Sequence, residues 1–419
     1  MKKKLFRQML NEWRSNLWIF VEFLIVSVVL WYIADYFYAT LSTRLRPRGF
    51  DTEHCYLLNL YEITDKSPLF IPDQTTEQKS EAKNEIMERL RRRPEVEAVS
   101  YSQNAYHYNG SNGYITFQYD TIIGSGLRRL VTPDFVKVFR YQGIDGETPD
   151  QLARELADGK ILLTDNFFVN GAKKGNKGKK LSELGSIEIS MPDDSAWTFR
   201  TGTPLFPMRY SDYTTWNLAA VLSPEAVRNP HMIVWMNELC IRVKPDMDHD
   251  IIETLMKEAQ TQFHVGNYIL TDVRSFDDIR EAFQRTETNT ERNYIVGMLF
   301  LLLNIFLGLL GTFWFRTQQR VKEVALRKVN GATSGQIFSR LITEGLVLLV
   351  IATVPALVVD YFLANAEVGT WADGYFTWPR LLICGGIAFL LMIIMVVLGI
   401  WFPARRAMKV DPARALADE

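Results

Sequence analysis

The chain has 419 residues, a formal net charge of -1 and an apolar fraction of 47%, and its mean hydropathy is -0.05. Such a length holds two or three domains, and the balanced charge leaves no surplus of Lys and Arg to grip phosphates, which excludes nucleic acid as a partner. The averages conceal two solvents: apolar residues gather in four blocks, while the stretch from about residue 40 to 292 has the mixed composition of a water-exposed domain.

Residues 1–16 form a basic, amphipathic lead carrying Lys2, Lys3, Lys4, Arg7 and Arg14. The first apolar block, 17–38, is long enough to cross a bilayer as a helix and too long for a cleaved leader, and its Tyr36, Phe37 and Tyr38 fit an interfacial belt. Helical character persists past Thr43 until Pro47 and Gly49 stop it. A large domain is expected over 39–274. Within it Tyr56–Ile63 reads as a strand, Glu77–Arg93 as an amphipathic helix and Val96–Tyr101 as the next strand, a βαβ-like unit. Tyr114–Tyr119 alternates as another strand, and Thr132-Pro133-Asp134 opens a short helix through Phe139. The region of about 160–223 reads as an inserted, β-rich subdomain, after which strand Glu238–Val243 and helix Asp250–Gln262 return to the first region.

A stalk helix is expected over 275–293, with Ser275 as N-cap, Asp278 completing a capping-box pattern and Phe283 on its apolar side, continuing unbroken into a second span, 294–315. The third and fourth spans are 341–363 and 381–402, separated by a short loop, 364–380, and followed by a tail, 403–419. Basic residues cluster before the first span, in the loop 316–340 and after the fourth span, which orients those three segments towards the cytoplasm and the large domain outwards. The fold class is therefore a membrane protein of four transmembrane α-helices plus an α+β extracytoplasmic domain on helical stalks. Glu22, Asn304 and Asp360 would be expensive facing lipid; Glu22 and Asp360 lie near span ends, and Asn304 is expected to make an interhelical hydrogen bond.

Chemistry-bearing motifs are few. The run Gly171–Lys180, GAKKGNKGKK, lacks the spacing of a phosphate loop and reads as a solvated basic hairpin. The five histidines, His54, His107, His231, His249 and His264, show no metal-ligand spacing. Cys55 and Cys240 could pair only if the fold brought them together, and Cys384 lies inside an apolar block. No nucleophile elbow is present, so a non-catalytic chain is expected.

The loop Arg320–Ile337, RVKEVALRKVNGATSGQI, is the informative segment. Val321, Val324, Ala325 and Val329 are expected on one face of a short helix and the Glu323/Arg327 pair on the other. Gly331 can end that helix in a left-handed conformation, and Thr333 or Ser334 can cap the next, giving a basic helical elbow. Taken alone, such an elbow equally fits an interfacial helix held by membrane lipid.

The string EVALRKVNGAT, Glu323–Thr333, resembles the signature of the FtsX-like permease domain of MacB-type ABC transporters, where it also lies between the second and third spans. The ending PARRAMKVDPARALADE, Pro403–Glu419, resembles the usual terminus of that family, and VTPDFVKVF, Val131–Phe139, supports the likeness more weakly. The resemblance implies a permease with a MacB-like periplasmic core domain in a bacterial inner membrane, both termini cytoplasmic. It implies an ABC ATPase subunit on a separate chain holding ATP and Mg, with no cofactor on this one, and a second copy or a related permease as dimer partner. By the same likeness Arg320, Glu323, Arg327, Lys328, Gly331, Ala332, Thr333 and Ile337 couple to the ATPase, and motion passes along the stalk for export or envelope transport. Envelope proteins are further partners. The alternatives are an FtsX-like regulator of a cell-wall hydrolase and a membrane receptor with a ligand-sensing outer domain.

Overall fold

The computed structural model describes residues 13–169, 178–192, 194–366 and 377–407. It divides into two compact units, one of residues 46–287 and one made of 1–45 with 288–419. The chain enters through helix α1 (Trp13–Leu45), which belongs to the second unit.

In the first unit, β1 (Cys55–Glu62), α2 (Thr76–Arg91) and β2 (Val96–Gln103) supply the strand, helix and strand read from the sequence. Helix α2 starts where it does because Thr75 and Gln78 form a reciprocal cap, Gln78 N donating to Thr75 Oγ1 at 3.3 Å and Thr75 N to Gln78 Oε1 at 2.9 Å. A hairpin follows, β3 (Gly113–Tyr119) and β4 (Ile122–Val131), then α3 (Phe135–Val138) and α4 (Pro149–Ala157). The segment from 160 to 223 is β-rich as expected. It supplies β5 (Leu162–Leu163), α5 (Leu181–Leu184), β6 (Glu188–Met191), β7 (Asp194–Arg200), β8 (Met208–Arg209), β9 (Trp216–Asn217) and β10 (Ala219–Leu222). The rest is β11 (Glu238–Val243), α6 (Ile251–Lys257), β12 (His264–Val265) and β13 (Tyr268–Ser275).

All but β8 and β9 join one 11-stranded sheet in the order β12-β13-β1-β11-β2-β4-β3-β6-β7, with β10 pairing β4 and β5. Two corrections follow. The unit β1-α2-β2 is split, because β11 lies between the two strands and runs antiparallel to both. The segment read as an inserted subdomain extends this same sheet, β10 running parallel to β4 and β6 pairing β3.

Strand periodicity explains the two-sided core. In β1, Tyr56 and Leu58 face one cluster with Ile86 and Leu90 of α2, while Cys55 and Leu57 face another with Val136 of α3 and Leu152 and Leu156 of α4. The same alternation places Leu239, Ile241 and Val243 of β11 on the first face and Cys240 on the second. Helices thus cover both faces of the central strands. Helix α6 is shorter than the expected Asp250–Gln262, because the Glu258 N–H turns back to Leu255 O. Cys55 and Cys240 are free thiols; the Cys55 Sγ–H donates to Val138 O at 3.2 Å. Burial pushes the Cys55 thiol up to about 12, and the Cys240 thiol also well upward. His107 is a core residue, stacked on Phe50 at 3.4 Å and bonded to the Tyr141 hydroxyl at 2.8 Å. Of the basic run 171–180, residues 171–177 lie outside the described residues.

The second unit holds four helices long and apolar enough to cross a membrane. They are α1, the 44-residue α7 (Phe276–Gln319), α9 (Ser334–Asn365) and α10 (Trp378–Ala407), with the short α8 (Val321–Val329) between α7 and α9. Phe23, Leu30 and Trp31 of α1 pack with Leu348, Leu349 and Ala352 of α9 and with Cys384, Ala388, Met392 and Val396 of α10. Helix α7 touches this bundle through Leu309 and Phe313, leaving Leu299, Phe300, Leu303 and Leu307 exposed. The uninterrupted second-span helix is as expected. Its first turns, read as stalk, belong to the first unit: Phe276 is fully buried, Phe283 packs edge-on against Tyr210 at 5.3 Å, and Arg280 pairs with Asp212.

Candidate functional site

The elbow is built by three local devices. Helix α7 ends at Gln319, and Arg320 turns the chain with φ -98 and ψ 5 to start α8. Helix α8 ends in a Schellman motif: the Ala332 N–H bonds Arg327 O at 3.0 Å, the Gly331 N–H bonds Lys328 O at 2.9 Å, and Gly331 takes φ +88. Helix α9 then starts from a capping box in which Gln336 N donates to Thr333 Oγ1 at 3.3 Å and Thr333 N donates to Gln336 Oε1 at 3.1 Å. Gly331 and Thr333 therefore take the roles their residue types suggest, and Thr333, not Ser334, is the cap.

Side chains divide the elbow into an inner and an outer face. Val324 and Ala325 are buried, whereas Leu326 is 55% and Val329 63% exposed. The apolar pattern predicts Val329 beside Val324; in the structure it stands on the outer face with Leu326, three residues before it. Glu323 and Arg327 pair along the helix as expected. Two of the residues assigned to coupling face inward. Ile337 is 3% exposed, and Arg320 donates through Nη1 to Glu344 Oε2. Glu344, itself buried, also accepts from Arg340 Nε at 3.2 Å. One carboxylate thus holds the turn after α7 and the start of α9 together. Close helix approach surrounds it: a Cβ at Gly345 would lie 2.8 Å from Ile400 Cδ1, and one at Gly399 would lie 2.9 Å from the Phe313 ring. Gly331, Thr333, Leu326 and Val329 remain as the outward surface, with Ala332 half-buried.

The polar residues of the spans sit inside the bundle or bond along their own helix. The Thr312 hydroxyl donates to Glu22 Oε1 at 3.1 Å, joining α7 to α1. Asn304 corrects its expectation: its Nδ2 donates to Phe300 O of the same helix at 2.7 Å, and makes no interhelical bond among the described residues. Asp360 is 2% exposed. The sequence offers no sign of the tightest pair, Asp35 with Arg380, in which Nε and Nη2 donate at 2.6 and 2.7 Å to the two carboxylate oxygens and tie α1 to α10. Nor does it show that Arg44, the first arginine after span one, pairs with the buried Glu291 of α7. At the start of α7, Asp278 N donates to Ser275 Oγ at 3.1 Å, and the hydroxyl in turn donates to Asp278 Oδ2 at 2.7 Å, so the expected cap is formed.

Residues 295–412 match the family model described as FtsX-like permease C-terminal, a segment that contains the whole elbow. The chain is 33% identical over 129 residues to the ABC transporter permease YknZ of Bacillus subtilis (strain 168), 30% of each chain. It is 22% identical over 214 residues to the macrolide export ATP-binding/permease protein MacB of Salmonella paratyphi A (strain ATCC 9150 / SARB42), 50% of this chain and 32% of that one. The match thus spans only about a third of the length of those relatives, 30% and 32%. The crystal structure of the extracellular domain of the noncanonic ABC-type transporter YknZ from Gram-positive bacteria aligns with a TM-score of 0.30 at 10% identity, covering 52% of this chain and 100% of that one. Through residues 295–412 the chain belongs to the FtsX-like permease family, related to the ABC transporter permeases YknZ and MacB.

Proposed function

We propose that this chain is the transmembrane subunit of a MacB/FtsX-type ABC transporter, and that it passes an ATP-driven movement from a cytoplasmic ATPase to an extracytoplasmic domain, residues 46–287. The carrying observation is the elbow itself: two apolar side chains, Leu326 and Val329, presented to solvent on a short helix stopped at both ends. An exposed apolar pair on a rigid, basic frame suits a protein groove better than water. ATP and Mg belong to the partner, and no residue of this chain enters the hydrolysis. A push on α8 is carried by the Arg320–Glu344–Arg340 cluster to α7 and α9 together. Helix α7 then runs without a break from Gln319 back to Phe276, and a continuous helix transmits displacement because its hydrogen bonds resist local bending.

The distribution of basic residues favours a bacterial inner membrane with both termini and the elbow in the cytoplasm. A second permease copy is favoured by α7, where Asn304 is exposed and a Cβ added at Gly297, Gly308 or Gly311 would meet nothing within 4 Å among the described residues, a composition that lets helices approach closely. The test is affinity purification of the tagged full chain from its native membranes, with ATPase activity and mass spectrometry of the eluate. The double substitution Leu326→Asp, Val329→Asp is expected to lower the co-purified ATPase at least tenfold and leave the thermal midpoint of the permease unchanged, since both side chains are exposed. Recovery of the ATPase at the native ratio would overturn the proposal.

A further inference from the structure

The domain of residues 46–287 carries a preformed cleft of about 530 Å³ that the coupling function does not use. One wall is the α2 stripe Asn84, Met87 and Arg91, spaced by three and four residues so that all three share a face. The second is the turn Thr132–Asp134, within the Val131–Phe139 segment that resembles the permease family, and the third is the loop 224–233. That volume lies within the roughly 300–1,000 Å³ of sites that enclose a ligand or several residues of a peptide.

Both flanking elements are fixed before anything binds. Arg91 closes one end by pairing with Asp134 at 3.0 Å. The loop is held by Ser223 Oγ, which donates to Leu156 O at 2.7 Å, and by Asn229 N, which donates to Pro224 O at 3.1 Å. Behind the cleft Lys83, 1% exposed, donates its ammonium protons to Val234 O at 2.8 Å, Met236 O at 2.9 Å and Asn237 Oδ1 at 3.0 Å, pinning the chain that follows Ile233 to α2. A rigid cleft loses little freedom on binding.

Its chemistry is asymmetric. Met87, Ile233, Pro133 and Pro224 form an apolar floor. At the open end Arg228 is exposed, forms no ion pair among the described residues, and holds a left-handed backbone, φ 54, that a glycine would adopt without strain. Asn229 accepts from the His231 N–H through Oδ1, which leaves its Nδ2 to donate, and the exposed Asn84 amide stands on the opposite wall. Donors around an apolar floor match an extended main chain, whose carbonyls they can meet while one side chain fills the floor.

We propose that this cleft is a docking site for an extended peptide segment of a partner protein, one that places an apolar side chain over Met87 and Ile233 and an acidic side chain against Arg228. The proposal rests on the domain alone and is independent of the elbow. It is tested with the full chain in lipid nanodiscs, panned against a phage-displayed random heptapeptide library, followed by fluorescence titration of a synthetic consensus peptide. The enriched sequences are expected to carry an acidic residue within about three positions of an apolar one. Met87→Asp should weaken binding at least tenfold, and Arg228→Glu, an exposed change that leaves the fold intact, should turn the preference from acidic to basic peptides. A library that yields no consensus, a consensus indifferent to charge, or peptides that bind both variants as they bind the native chain would overturn it.

Discussion

Replacing Glu344 by Gln isolates the elbow's central interaction. The carboxylate is 8% exposed and is shared by two guanidiniums, Arg320 at 15% and Arg340 at 28% exposed. Breaking a buried pair from one side leaves uncompensated charge and costs about 3–5 kcal/mol. Gln keeps one acceptor, and Arg340 is wet enough to recover part of its hydration, so the loss is expected at the low end, about 2–3 kcal/mol. Such a loss corresponds to roughly 30- to 150-fold in a local opening equilibrium. The assay is hydrogen exchange followed by mass spectrometry in nanodiscs, read on peptides covering residues 321–337, with residues 55–62 of β1 as an internal standard. Protection should fall by that factor at the elbow and stay unchanged in β1. Charge removal on both sides, Arg320→Met with Glu344→Leu, should restore much of the protection, because an apolar pair needs no compensation. Native protection in the single variant would show that the carboxylate does not hold the elbow, and the route proposed for the push would lose its middle link.

Gly331→Ala places a Cβ on a left-handed residue with open space around it, so only backbone strain opposes it, about 1–2 kcal/mol; faster exchange confined to the end of α8 and the start of α9 is the expected readout. Gly126→Ala is more severe, because its Cβ would lie 2.6 Å from the backbone oxygen of Leu218, and the parallel pairing of β4 with β10 must open; loss of the folded domain in limited proteolysis checks it. Burial draws the Lys83 ammonium from 10.5 to about 8, with the Tyr101 and Tyr268 rings beside it. Between those two values the unfolded chain binds more protons, so the stability of the domain should rise with pH through the window by up to about 3 kcal/mol, with no Lys83 contribution to the slope below it. Thermal unfolding across pH 7 to 10, compared with Lys83→Met, measures the effect; equal slopes in the two proteins would refute it.

The elements readable in the sequence are those whose signals are local. Glu238–Val243 is legible to the residue because it alternates cleanly between turns, and the elbow because a left-handed glycine and a capping threonine mark its corner. Strand β4 is hidden for a physical reason: Gly124 and Gly126 break a strand pattern, yet both are required there, since a Cβ would meet Phe167 O or Leu218 O at 2.6 Å. Helix α4 does have a local signal that the sequence reading leaves unused, Thr148, Pro149 and Gln151 spelling a capped start. The face of α8 departs from the apolar pattern at Val329, where the last turn of a nine-residue helix already leaves the inner side. No spacing rule reaches the pairings of Glu344 and Asp35, because Arg320 and Arg380 lie outside their own helices and only packing brings them together.

The position of β11 has a consequence for how the protein is made. The strand that fills the middle of the sheet is encoded some 135 residues after its neighbour β2, counting Ser102 to Glu238 in the ladder. A nascent chain that has delivered everything up to Pro230 across the bilayer still has a gap at the centre, with the edges of β1 and β2 unpaired and open to aggregation or proteolysis. Closure waits until the translocating segment is within reach of its second membrane helix. A chaperone that shields those two edges during secretion is therefore a requirement that the topology itself imposes on the export pathway.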